Sequence, residues 1–185
     1  MLPTQHRWTA LEEMNERELR LKDHEKKLAR QAADEFIKWS ISTLNTSNPH
    51  KRHNPWKSES QRLWEMTMAY GAEIGVARKL NMQWNGVGTG KRTADVGNNI
   101  EVRWTSGQHL VVRANDREKD IAFLCKGTTL ENLYIVGFMP VKMARVVEYK
   151  LPDEEVWMVP YTKLYTYLPS NASVKRFIEQ YSRLV

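Results

Sequence analysis

The feature that most limits the fold is the separation of helical from strand-like sequence along the chain. Residues 9–44, TALEEMNERELRLKDHEKKLARQAADEFIKWSISTL, contain neither Gly nor Pro and open with Thr9 and Glu12 at capping-box spacing, which predicts one long helix. From residue 94 onward, short β-type runs (ADV, IEVRWT, HLVVR, IAFLCKG, LYIVGF) alternate with the turn-forming stretches GNN, SGQ, ANDREKD and TTLEN. MPVKMARVVEYK suggests a short helix, VWMVPY an extended run, and residues 171–184 a last helix. A strand-rich layer with helices before and after it is an α/β (α+β) domain. At 185 residues the chain has room for one real core, and 41% hydrophobic against 27% charged residues is globular rather than disordered composition.

Three parts are expected: a long charged N-terminal helix (1–45), a basic linker (46–60) and an α/β domain (61–185). In the first, Glu13–Arg17, Glu16–Arg20, Glu18–Lys22 and Asp23–Lys27 stand at i,i+4 in the favourable order, and Met14, Leu21 and Leu28 form only a thin apolar stripe. Such a helix projects into solvent or pairs with a partner helix, which would give a homodimer. Its last turns, with Phe36, Ile37, Trp39 and Ile41, are apolar enough to dock on the core. The linker NTSNPHKRHNPWKSES reads as a loop, and its two histidines make a poor zinc site. Ser58 and Gln61 then repeat the capping spacing and open a second helix that stops near Asn81.

One cysteine, Cys125, excludes an internal disulfide and suits a reducing compartment. The longest apolar runs are too short to span a bilayer and the N-terminus lacks the apolar stretch of a signal peptide, so a soluble cytoplasmic protein without membrane contact is expected. The net charge of +6 points to an anionic partner, and the basic excess lies in the first two thirds: 12 Lys/Arg against 9 Asp/Glu in residues 1–62, the same in 63–150, and 4 against 4 after that. The seven tryptophans are expected mostly in the core.

The stretch ADVGNNIEVRW carries the chemistry. Alternation along the strand puts Ile100, Val102 and Trp104 on one face and Glu101 and Arg103 together on the other. GNN is tight-turn sequence and folds Asp95 back toward Glu101. On the preceding helix, steps of three and four place Glu73 on the stripe with Met66, Ala69, Ala77 and Leu80, facing the core, where a carboxylate is costly unless paired or bound to a cation. If that helix packs on the Glu101 face, three acids share one small volume, and a hard divalent cation is the usual remedy for their repulsion. Salt-bridged acids are the plainer alternative. GVGTGK lacks the spacing and context of a phosphate loop.

A helix Glu73, then Asp95, then Glu101-x-Arg103, followed by LVVRAND, resembles the PD-(D/E)XK nuclease superfamily, and more closely its small phage-type members, over roughly residues 66–140. The resemblance implies a restriction-endonuclease-like core, a central mixed sheet flanked by helices, and a Mg²⁺- or Mn²⁺-dependent deoxyribonuclease working in the host cytoplasm. It implies Asp95, Glu101, the Val102 carbonyl and Glu73 as metal ligands. The pattern departs from the family at Arg103, where lysine is usual, and at Ala94, where proline is usual. A guanidinium stays protonated, so Arg103 would hold the scissile phosphate rather than act as a base. Lys91, Arg92 and Arg113 are the candidate DNA-backbone contacts, with a solvated loop the alternative for Lys91 and Arg92 and a strand-end salt bridge the plainer role for Arg113; Asp116 and Asp120 lie on or after the same strand. The second reading keeps the fold but leaves the site idle, in a DNA-binding or assembly module. The nuclease is preferred.

Overall fold

A computed structural model of the chain describes residues 17–44, 58–87, 93–166 and 176–181. Its elements are α1 (Asp23–Leu44), α2 (Glu59–Leu80), β1 (Ile100–Trp104), β2 (His109–Arg113), β3 (Ile121–Lys126), β4 (Tyr134–Pro140), a one-turn α3 (Val141–Ala144), β5 (Val156–Pro160) and β6 (Tyr165–Thr166). Residues 176–181 are helical. Helices and strands are both substantial and the sheet is mixed, so the chain is α+β.

The strands form two sheets rather than one layer. The larger has the order β1-β3-β4-β6, with β1 parallel to β3 and the other pairs antiparallel. The smaller is the antiparallel pair β2-β5. β3 lies between them: Ile121, Phe123 and Cys125 join the core shared with α2, while Ala122 and Leu124 join a second core with Leu110, Val112 and Val159. A strand covered on both faces reads as the unbroken apolar run IAFLC. β1 is at the edge of the larger sheet, and this opens the region around Glu101 and Arg103.

α2 has the predicted ends. The Ser58 hydroxyl accepts from the Gln61 N–H at 3.2 Å, and Asn81 closes the helix in the left-handed region at φ 53°. Every residue from Tyr70 to Ala77 is buried, since α1 and the sheet enclose this helix between them.

The N-terminal part differs from expectation. The helix begins at Asp23, where the Lys22 N–H donates to the Glu25 carboxylate at 2.7 Å and forms half of a capping box. Residues 18–22 are not helical: Glu18 bridges Tyr134, and the Leu19 N–H donates to the Leu133 carbonyl at 2.8 Å. The expected Glu18–Lys22 pair is replaced by Glu18–Arg20 at 2.7 Å, and Asp23 pairs with Lys26 instead of Lys27. Thr9, Glu12, Glu13 and Glu16 lie outside the described residues. Nor does α1 project, because Ala29, Ala32 and Ala33 are buried in the core shared with α2, Ile37 is buried too, and Leu28 is exposed instead. Small alanines let the two helices approach closely.

The extended segment is held by α2. Arg78 donates to the carbonyls of Leu19 and Arg20 and pairs with Glu25 at 3.1 Å, and Lys79 donates to the Glu18 carbonyl at 3.1 Å. Leu19 fits because Gly75 has no side chain: a Cβ there would lie 2.8 Å from Leu19 Cβ. Gly75→Ala is therefore expected to destabilise by about 1–2 kcal/mol, because overpacking outweighs the roughly 1 kcal/mol that alanine gains in a helix. Denaturant unfolding measures it. Stability at or above wild type would mean that Leu19 does not sit against α2.

Candidate functional site

The turn places the first acid. Val96 and Ile100 exchange backbone hydrogen bonds at 3.1 and 3.2 Å around Gly97, whose φ of 55° suits glycine. Asp95 is thereby turned back along β1, and its Oδ2 accepts the Val102 N–H at 2.8 Å. Asn85 steadies the turn by donating its side-chain amide to the Ala94 and Gly97 carbonyls, both at 2.7 Å.

Arg103 gathers the acids. Its guanidinium lies 2.8 Å from Asp116 Oδ1, 3.1 Å from Glu101 Oε2 and 3.7 Å from Asp95 Oδ2. Asp116 comes from the loop after β2, where its other oxygen accepts the Arg113 N–H at 2.9 Å. Although burial opposes the charge, Asp116, Glu101 and Asp95 raise the Arg103 pKa above its usual value. Arg103 Nε is buried and without a hydrogen-bond partner.

Glu73 arrives by another route than the one expected. α2 packs on the Ile100 and Val102 face of β1, opposite Glu101 and Arg103. Glu73 reaches the same cleft past the edge strand and accepts from the Trp84 indole N–H at 2.9 Å, so its neutral partner is an aromatic rather than an arginine. Burial raises its pKa well above the carboxylate range, and the Asp95 charge adds to this. Asp95 is raised by burial, against the pull of the Val102 N–H and of Arg103. Burial and then Asp95 push Glu101 up to about 8. Tyr70, on the same wall, is raised by burial and by the charges of Glu73 and Asp95.

These residues share one cleft of about 390 Å³. Glu73, Asp95, Glu101, Arg103 and Arg113 all line it, as the sequence pattern anticipates. Lys91 and Arg92 lie outside the described residues. Sequence reasoning missed Asp116 as a partner of Arg103, and it also missed Trp84, Tyr70 and Arg117. Arg117 rims the cleft and forks onto the fully buried Asp120 at 2.7 and 2.8 Å. The tryptophans divide: Trp84, Trp104 and Trp157 pack half-buried against the two cores as expected, while Trp39 and Trp64 are exposed.

A cluster of carboxylates whose pKa values are raised toward neutrality either holds protons or attracts a cation. The donors are hard oxygens of the kind Mg²⁺ and Mn²⁺ accept. As they stand, Arg103 occupies the space among them, and no group of three or more His, Cys, Asp or Glu among the described residues is arranged to hold a metal ion.

The raised acids predict a pH dependence. Glu101 titrates near 8 in the folded chain and near 4.5 when unfolded, so between these values the folded state binds the extra proton. Its contribution to stability is complete below pH 4.5 and is lost as pH rises through 8. In EDTA, melting temperature is expected to fall by about 5–10 °C between pH 5 and pH 9. Glu101→Gln should flatten much of that slope, and an equally steep profile in the variant would disconnect Glu101 from it.

No protein-family model matches the chain, and neither a curated protein nor a solved structure is significantly similar to it. No helix among the described residues is long and apolar enough to cross a membrane.

Proposed function

We propose that this chain is a metal-dependent nuclease that hydrolyses DNA phosphodiester bonds in the cytoplasm, on a restriction-endonuclease-like core akin to the small phage-type PD-(D/E)XK enzymes. The observation that carries the reading is convergence. Glu73 from α2, Asp95 from the turn and Glu101 and Arg103 from β1 line one cleft in the order Glu…Asp…Glu-x-Arg.

Asp95, Glu101, the Val102 carbonyl and Glu73 are the groups that would hold Mg²⁺ or Mn²⁺. When bound, such a cation lowers the pKa of a coordinated water and offsets charge growing on the phosphate. The chain's own residues do the rest. Arg103 is permanently charged and donates in a fork, which suits a non-bridging phosphate oxygen. Trp84 fixes the Glu73 carboxylate, and Arg113 at the rim can contact the DNA backbone together with Lys91 and Arg92.

A second reading has its own support. Arg103 is already charge-paired with three carboxylates, which is what an idle site stabilised as a salt-bridge cluster would need. In that case the chain binds DNA or assembles without cutting. A homodimer through α1 would have to use its outer face, with Leu28 and Trp39, because the inner face is covered by α2.

The test is to incubate the purified chain with labelled single-stranded, duplex and branched DNA in Mg²⁺ or Mn²⁺. The nuclease reading expects cleavage that EDTA abolishes, and intact DNA under every condition favours the idle module.

A further inference from the structure

Besides the acids, aromatic rings line the cleft. Phe36 and Trp39 come from α1 and Tyr70 from α2. The rings form a chain from solvent inward: Trp39 to Phe36 at 5.8 Å between centroids, Phe36 edge-on to Tyr70 at 6.4 Å, and Tyr70 edge-on to Trp84 at 6.2 Å. Trp84 donates to Glu73, so the row of rings ends at the acid cluster. Its outermost member, Trp39, is 53% exposed on a helix whose inner face is fixed in the core by Ala29, Ala32 and Ala33. A tryptophan ring beside a polar cleft offers a large contact surface with few rotatable bonds, so it loses little conformational freedom on binding.

The same cleft carries Arg103, Arg113 and Arg117. Aromatic rings that stack bases, beside cations that follow phosphates, are the pair of features that single-strand sites combine. In an intact duplex the base faces are stacked on one another and out of reach of a side-chain ring, so an aromatic platform works only on an unpaired base. Building on the nuclease reading above, we propose that Trp39 and Phe36 stack an unpaired base next to the acid cluster, and that the substrate is therefore single-stranded DNA or a frayed end rather than an intact duplex.

The experiment uses the full chain carrying Asp95→Asn, without divalent cation, so that binding is read without cleavage. Fluorescein-labelled oligothymidylate and a blunt hairpin duplex of equal length are the probes. Adding Trp39→Ala is expected to weaken oligothymidylate binding about tenfold or more, the effect of one lost stacking contact, and to leave duplex binding within about twofold. Trp39→Phe keeps a ring and should stay within about threefold of its parent on the single strand. Since Trp39 is exposed, an unchanged circular dichroism spectrum is expected of both variants. Equal weakening on both probes, no weakening on either, or a change in sedimentation that follows the ring would overturn the proposal. If the parent binds neither probe at low salt, the nuclease reading itself fails, and this inference with it.

Discussion

Replacing Arg103 by methionine is expected to destabilise the chain by about 3–5 kcal/mol at pH 8, the usual cost of removing one partner from a buried ion pair. Asp116, Glu101 and Asp95 all face this guanidinium, and Glu73 adds a fourth negative charge nearby. Methionine keeps much of the volume and leaves those carboxylates uncompensated. The loss should shrink markedly at pH 5. Glu73, Asp95 and Glu101 already have raised pKa values, and losing the Arg103 charge raises them further, toward the protonated form. Arg103→Lys should recover only part of the stability, because one ammonium cannot span Asp116 and Glu101 as the fork does. Denaturant unfolding at the two pH values measures both effects. A loss under about 1 kcal/mol, or one that is the same at pH 5 and pH 8, would mean that the cluster is solvated and weakly coupled.

How much of the fold could be read beforehand depended on the range of the interactions. The ends of α2 were legible because a cap is made by neighbours in sequence, Ser58 with Gln61 and Asn81 with its own backbone. The segment ELRLK was misread because two patterns overlap in it. Charges at i,i+4 fit a helix, while Leu19 and Leu21 alternate with Glu18, Arg20 and Lys22 as an extended chain would. Tertiary contact decided between them: Gly75 and Gly71 leave room on α2 for both leucines, and Arg78 takes up the carbonyls that an extended chain leaves open. The division into two sheets was not legible either. β1 pairs with β3 rather than with its neighbour β2, and that choice rests on the two cores around β3.

The candidate site divides in the same way. Asp95, Glu101 and Arg103 come together through one turn and one strand, so their proximity could be argued from GNN and from alternation. Glu73 was found by helix phase, although the face of the sheet on which α2 lies was not foreseen. Asp116 stands thirteen residues beyond Arg103, and its contact depends on how the loop after β2 folds back. Trp84 and the aromatic wall follow from the docking of α1 and of the 81–87 loop on α2, which local spacing does not record.

The central claim is that Asp95 serves catalysis rather than structure, and Asp95→Asn separates the two. The amide oxygen can still accept the Val102 N–H, and Arg103 keeps its closer partners Asp116 and Glu101. The fold should survive. Relief of repulsion with Glu73 and Glu101 should leave the melting temperature at pH 8 unchanged or raised. Cleavage should respond very differently, since the variant loses a charge that would hold the cation, and with it the cation's offset of charge growing on the phosphate. A fall of at least about a hundredfold is expected, the scale of losing one electrostatic stabiliser of a transition state. The decisive measurement is the rate at which wild type and Asp95→Asn cut labelled DNA, side by side in Mg²⁺ and in Mn²⁺, with melting curves of both proteins. The account predicts metal-dependent cutting by wild type that collapses in a variant of equal or greater stability. Equal rates in the two proteins, or no cutting by wild type together with a lower melting temperature in the variant, would contradict it.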